Sequence, residues 1–238
     1  MSKFIYGRNA VKEAMLSGSV FTIYLSSSIR DKSYEKLARS QKINIVYKTN
    51  NELDKLLKTC NHQGIAGEVD DYRFYELEEI IEFAKLKKYP LVLILDGIED
   101  PHNMGAIIRS VDAFSVDGII IKSKGQVDIN STVYKVSTGA IEHVKICKVN
   151  NLNTALTTLK DNGFWIVSSD GNSDKNYDEI DYKCPIGLVI GSEGFGISKL
   201  VLDNSDHIVK IPMSGHVNSL NASVATGIFL ALINHMRK

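Results

Sequence analysis

The chain has 238 residues, 44% of them hydrophobic, with 28 basic and 28 acidic side chains. That length buries a substantial core in one or two domains, and a zero net charge argues against a protein that coats polyanions indiscriminately. No window approaches the roughly 18 uninterrupted apolar residues of a membrane span, and the N-terminal MSKFIYGRNAV lacks the apolar core and cleavage site of a signal peptide, so a cytoplasmic protein without membrane partners is expected. Cys60, Cys147 and Cys184 are far apart, with no CxxC pair and no neighbouring His at metal spacing; they read as reduced and structural.

Charge is uneven along the chain. Residues 1–50 hold nine Lys/Arg against three Asp/Glu, and residues 51–100 hold six against twelve. The basic stretch is either a solvated face or a footprint for phosphates. Within it NAVKEAML reads as a helix, VFTIYLSS as a strand, DKSYEKLARS as a helix and INIVYKT as a strand. NNELDKLLKT follows as a helix opened by a capping box between Thr49 and Glu52. DDYRFYELEEIIEFAKLKKYP is then a linker running into an amphipathic helix that stops before Pro90. The expected division is a small α/β domain over 1–71, linker and leading helix over 72–89, and a second domain over 90–238.

In the second domain LVLILD, GIIIK, FWIVSSD, GLVIGS and HIVKIPM read as strands, separated by the helical patterns GAIIRSVDAF, NTALTTLKDN and ATGIFLALINHM. This alternation predicts an α/β fold with a mostly parallel sheet covered on both faces, whose ligands bind beyond the carboxyl ends of the strands. Three of the loops there are unusual. LVIGSEGFG has Glu193 where a dinucleotide fingerprint needs Gly and lacks the Gly-Lys-Ser/Thr ending of a phosphate loop. It fits either a cofactor without phosphate or with positive charge, or a plain tight turn whose Glu starts a helix. LDGIEDPHNMGAIIRSVDAF turns at Pro101 into a helix that Asn103 could cap, with Arg109 beside an apolar face. MSGHVNSLNASVATGI offers Ser214, Asn218, Ser219 and Asn221 within eight residues. Buried without a ligand, each would cost roughly 1–3 kcal/mol, so a polar partner is expected.

Taken together, NMGAIIRSVDAF, LVIGSEGFGIS and IPMSGHVNSLNASVATGI resemble, in order, the three motifs of the SpoU/TrmH family of RNA ribose 2'-O-methyltransferases, of the SPOUT class. YGRNAVKEA, IYLSSS and HQGIAGEV are similar to the small RNA-binding domain of the subgroup that methylates a guanosine of 23S rRNA. The resemblance implies a domain knotted as a trefoil, preceded by an L30e-like domain, and a homodimer with residues of both subunits near one site. It implies S-adenosylmethionine as cofactor, held by Gly191, Ile211, Met213, Ser219 and Leu220, with Arg109, Asn103, Glu193, Ser219 and Asn221 in the catalytic set. RNA is the implied partner, rRNA ahead of tRNA; a non-catalytic RNA-binding protein is the alternative from another class.

The implied reaction is attack of a ribose 2'-oxygen on a sulfonium methyl. A guanidinium stays charged and has no acceptor lone pair, so Arg109 fits better as a stabiliser of alkoxide character, or as an anchor for a phosphate that takes the proton, than as a base. No metal is expected: the six histidines show no HExxH or comparable ligand spacing, and His102 and His216 in the motif loops read as exposed or RNA-facing.

Overall fold

The computed structural model describes residues 3–238, which divide into two compact units. The first contains the residues up to Arg73 together with Ile129–His143; the second contains Phe74–Asp128 and Val144–Lys238.

The first unit runs β1 (Lys3–Tyr6), α1 (Arg8–Ser17), β2 (Val20–Ser26), α2 (Ser33–Ser40), β3 (Asn44–Lys48), α3 (Asn50–Leu57) and β4 (Ile65–Val69). Its sheet has the order β1-β4-β2-β3, antiparallel except for the β2–β3 pair. Helix α1 buries Ala10, Val11, Ala14 and Met15, a stripe at helical spacing. The capping box of α3 is complete: Thr49 N donates to Glu52 Oε2 at 2.7 Å and Glu52 N to Thr49 Oγ1 at 3.3 Å. Strands β1 and β4 have no counterpart in the sequence reading, because one has four residues and the other carries Gly67 at its centre.

The second unit begins with α4 (Leu77–Ala84) and continues through β5 (Leu91–Asp96), α5 (Pro101–Ala113) and β6 (Gly118–Lys122). The chain then forms α6 (Ser131–Ser137), β7 (Ile146–Val149), α7 (Leu152–Asp161), β8 (Trp165–Ser169), β9 (Ile186–Gly191), α8 (Lys199–Asp203), β10 (His207–Val209) and α9 (Ala222–Met236). Six strands pair wholly in parallel in the order β10-β8-β9-β5-β6-β7. Every residue of β5 is buried, as a central strand covered on both faces requires. Val92 and Ile94 pack in one cluster with α4 and α7. Alternation along the strand turns Leu91, Leu93 and Leu95 to the other face, and α9 packs there on β9 and on α5.

Two departures from the sequence reading have physical causes. HIVKIPM stays a strand only to Val209; Lys210 pairs instead with the 175–177 stretch, its N–H donating to Lys175 O at 2.9 Å, and Pro212 has no N–H to continue a ladder. The segment Ile129–His143, read as part of the second domain, belongs to the first unit. Helix α6 packs on β1 and α1, Lys135 Nζ sits 5.3 Å from the Tyr6 ring, and Glu142 Oε2 accepts from Ser17 Oγ at 2.7 Å and Ser19 Oγ at 2.6 Å. None of the helices among the described residues is long and apolar enough to cross a membrane.

Candidate active site

β5 and β9 are the central pair of the parallel sheet, and their last residues, Asp96 and Gly191, are register partners. Strand order runs outward from this pair in both directions, so the loops after β5 and β9 diverge and leave a crevice at the carboxyl end. Asp96 is 4% exposed and ties the crevice together: it forms a short ion pair with Lys122 at the end of β6, and its Oδ2 accepts from Ser198 N at 2.8 Å. Burial alone would push this carboxyl up, but Lys122 and the Ser198 N–H outweigh it and hold it below the ordinary aspartate value.

The turn after β9 closes on itself. Ser192 N donates to Gly196 O at 3.1 Å and Gly196 N to Ser192 O at 2.9 Å, with Gly196 at φ +65°. Gly191 lies under that closure: a Cβ there would stand 2.3 Å from Gly196 C and 2.4 Å from Gly196 O. The first demand for glycine at 191 is therefore the backbone of its own loop, ahead of any ligand. Glu193 starts no helix; α8 begins later, after Ser198.

Glu193 instead faces the first turns of α5 and α9. Its Oε1 accepts from Asn103 Nδ2 at 2.8 Å and from Ala222 N at 3.4 Å, and makes a short contact with Asn221 Nδ2. Asn221 Nδ2 also donates to Asn103 Oδ1 at 2.9 Å, while Asn221 Oδ1 caps α9 by accepting from Ser223 N at 3.0 Å. The cap of α5 is Asp100, whose Oδ1 accepts from His102 N at 2.8 Å, which leaves Asn103 free for this cluster. The Asn103 side chain on α5 and the first N–H of α9 thus converge on one carboxylate oxygen. Glu193 Oε2 accepts no hydrogen bond among the described residues, so it remains an open acceptor.

Two cavities flank the 192–196 turn. The larger, about 510 Å³, is lined by all five residues expected to hold a cofactor: Gly191, Ile211, Met213, Ser219 and Leu220. Its volume lies within the roughly 300–1,000 Å³ of small-molecule sites. No lysine or arginine lines it; its charged residues are Asp170 and Glu193. The smaller, about 470 Å³, opens between Asp96–Asp100, Asn103, Lys122 and the same turn.

Asn103, Glu193 and Asn221 are thus brought together, and Ser219 lines the larger cavity without joining their cluster. Arg109 is not brought to them: it is exposed on α5, lines neither cavity and forms no hydrogen bond or ion pair among the described residues. Residues 212–219 are exposed, so water satisfies Ser214, Asn218 and Ser219, and Asn221, also exposed, is satisfied by Asn103, Glu193 and Ser223; the expectation of buried polar groups in need of a ligand fails for all four. Two further residues belong to this region, Asp96, the polar end of an apolar strand, and Phe195, an aromatic between two glycines; each pattern is a usable signal in the sequence. No group of three or more His, Cys, Asp or Glu able to hold a metal occurs among the described residues.

Residues 90–231 match the SpoU rRNA methylase family, and residues 4–75 match the family described as RNA 2'-O ribose methyltransferase substrate binding. The chain belongs to the SpoU family. A relative from Staphylococcus epidermidis, carrying a provisional assignment as a TrmH family tRNA/rRNA methyltransferase, is 44% identical over 95% of this chain and 92% of its own. Among solved structures, the SpoU methyltransferase AviRb from Streptomyces viridochromogenes in complex with AdoMet superposes with a TM-score of 0.84 at 23% identity, over 99% of this chain and 90% of that one. An AdoMet-bound rRNA methyltransferase from Sinorhizobium meliloti gives 0.84 at 23% identity, over 98% and 87%. At such identity these two establish a shared fold of SpoU type, an N-terminal substrate-binding domain followed by an α/β methyltransferase domain.

Proposed function

We propose that this SpoU-family RNA methyltransferase transfers the methyl group of S-adenosylmethionine to a ribose 2'-hydroxyl, on a guanosine of 23S rRNA. The observation that carries the reading is the chemistry of the larger cavity: apolar at Ile211, Met213 and Leu220, free of basic side chains and bordered by Asp170 and Glu193. Such a lining offers no cationic side chain to a phosphate and suits a ligand that joins an adenosine to a cationic sulfonium. When bound, S-adenosylmethionine supplies an electrophilic methyl group, and the loops after β9 and β10 would hold it.

The chain's own residues orient the acceptor and manage its proton. Glu193, fixed through Oε1 by Asn103 and Asn221, keeps Oε2 available to a ribose hydroxyl at the mouth of the cavity. The 2'-hydroxyl would give its proton to Oε2 of Glu193 as its oxygen takes the methyl group that S-adenosylmethionine would supply. Arg109 serves as the cation that stabilises the developing oxyanion or holds the neighbouring phosphate. Because Arg109 is exposed and lies apart from the cluster in its own chain, it acts on a site completed by a second copy; the working form is a homodimer whose C-terminal segment is threaded as a trefoil knot. The N-terminal domain, matched to the substrate-binding family, supplies RNA affinity.

Mapping 2'-O-methyl positions in rRNA and tRNA from cells with and without the gene tests the proposal. One guanosine of 23S rRNA losing its methyl group is the expected result; loss confined to tRNA transfers the reading to that substrate, and no change in either overturns it.

A further inference from the structure

Phe195 is 97% exposed, the most exposed large apolar side chain among the described residues. Its backbone is held nonetheless: the Ser192–Gly196 pair closes the turn, and Phe195 N donates to Ser192 Oγ at 3.3 Å. Glycines 194 and 196 on either side leave the ring uncovered. Aromatic side chains elsewhere bury some 150–250 Å², so a pinned turn that presents its ring to water gives up that gain and offers a flat π face.

The turn is also the wall between the two cavities, and Phe195 and Glu193 line both. The smaller cavity is unlike a phosphate site. Lys122 there is engaged by Asp96, and Glu99 and Asp100 add negative charge at the rim. Carboxylates repel phosphate at close range but accept hydrogen bonds from the imino and amino groups of a base. A planar ring beside acceptors, with its one lysine already paired, fits a nucleobase lifted out of its strand.

We propose that Phe195 is the platform on which the base of the methyl-accepting nucleotide stacks, that base occupying the smaller cavity while the methyl donor occupies the larger. The proposal rests on the methyltransferase reading. The turn then serves both substrates, because Asn103 and Glu193 line the same cavity and a base on Phe195 brings its ribose to the open Oε2 of Glu193. Phe195 is a specificity-determining residue that touches substrate.

Methyl transfer to rRNA isolated from cells lacking the gene is measured for wild type, Phe195→Ala and Phe195→Tyr, alongside calorimetry with S-adenosylmethionine and light scattering for mass. An exposed side chain contributes little to folding, so the alanine protein remains testable. Expected is a fall in kcat/KM for RNA of roughly 5- to 100-fold in Phe195→Ala, the effect of one base–aromatic stack, with Phe195→Tyr close to wild type and donor affinity and mass unchanged. Unaltered kcat/KM in Phe195→Ala overturns the proposal; so does weakened donor binding, which assigns the ring to the cofactor, or a changed mass, which assigns it to a subunit contact. A second readout is independent of turnover. Trp165 is the only tryptophan, so Phe195→Trp in a Trp165→Phe background reports on this position alone. Quenching by guanosine but not by inorganic phosphate is expected; no quenching by any nucleoside, or quenching by phosphate alone, overturns it. Wild-type protein that methylates no RNA would strike the methyl-transfer reading and leave the quenching result to decide this one.

Discussion

The two ends of the six-stranded parallel sheet differ in how they use polar groups. At the amino end Arg237, the residue after α9, donates to Tyr89 O at 2.8 Å, Pro90 O at 3.1 Å, Tyr182 O at 2.9 Å and Cys184 O at 3.0 Å, so one guanidinium fastens the entries to β5 and β9. At the carboxyl end of the same two strands Glu193 keeps an oxygen unused, Phe195 stands in water and two cavities open. Saturated donors and acceptors hold the fold, whereas groups left with open valences are available to a ligand. The two ends should therefore respond to mutation in different observables.

The largest effect is expected from Arg109. It is exposed and unbonded among the described residues, so Arg109→Ala should leave the unfolding free energy within about 0.5 kcal/mol of wild type. Single-turnover methyl transfer should fall by roughly 10²- to 10³-fold, the loss typical of one preorganised charge-stabilising donor. Arg109→Lys, which keeps charge but not the planar fork, should recover little. Full activity in Arg109→Ala at saturating RNA and cofactor would remove the residue from the mechanism.

Arg237 is the converse case. Arg237→Ala leaves four carbonyls without their charged donor, and hydrogen bonds to charged groups contribute roughly 1.5–3 kcal/mol each without being additive. A loss of about 3 kcal/mol in chemical denaturation is expected, with S-adenosylmethionine affinity unchanged in the protein that remains folded. Arg237→Lys should restore only part, since a single ammonium cannot span both strand entries. A weakened cofactor with normal stability would break the contrast between the ends.

What could be read without coordinates follows the same line. LVLILD and GLVIGS declare buried parallel strands by unbroken apolar runs, and three polar loops declare the carboxyl end. The cluster of Asn103, Glu193 and Asn221 joins residues 118 positions apart in sequence, and its membership follows from motif order, not from local pattern. Periodicity could not reveal that Ile129–His143 leaves the second unit, because α6 and the turn after it are held by contacts to Tyr6, Ser17 and Ser19 that lie far away in the chain. Nor could composition show that residues 212–219 stay in water. Exposure is a property of the packed chain, and a Ser- and Asn-rich loop looks the same wet or dry.

Gly191 sharpens the comparison by mixing the two kinds of demand. A Cβ would press on the Gly196 backbone, so the turn must shift, at a strain of about 1–3 kcal/mol for overpacking of this kind. Because the turn walls the larger cavity, Gly191→Ala should weaken S-adenosylmethionine in calorimetry while the rest of the fold persists by circular dichroism. Wild-type affinity in a folded Gly191→Ala protein would show that the turn does not shape the cofactor's cavity.

The smallest expected effect belongs to Asp96, a saturated group placed at the open end. Its carboxyl is held below its ordinary value, 3.8, because the Lys122 ion pair and the Ser198 N–H exceed the cost of burial. A group whose folded pKa is depressed stabilises the native state above the unfolded value and loses that contribution as pH falls through the folded one. Stability should therefore be level near neutrality as far as Asp96 is concerned and decline once pH drops below about 3.8. Asp96→Asn should lower the neutral-pH melting temperature, since Lys122 loses its partner, and flatten that acid decline. Both changes are readable in thermal melts of the two proteins across the acid range. An Asp96→Asn protein with an unchanged acid limb would mean that the carboxylate does not latch β5 to the turn after β9, and that the crevice is held open by its backbone alone.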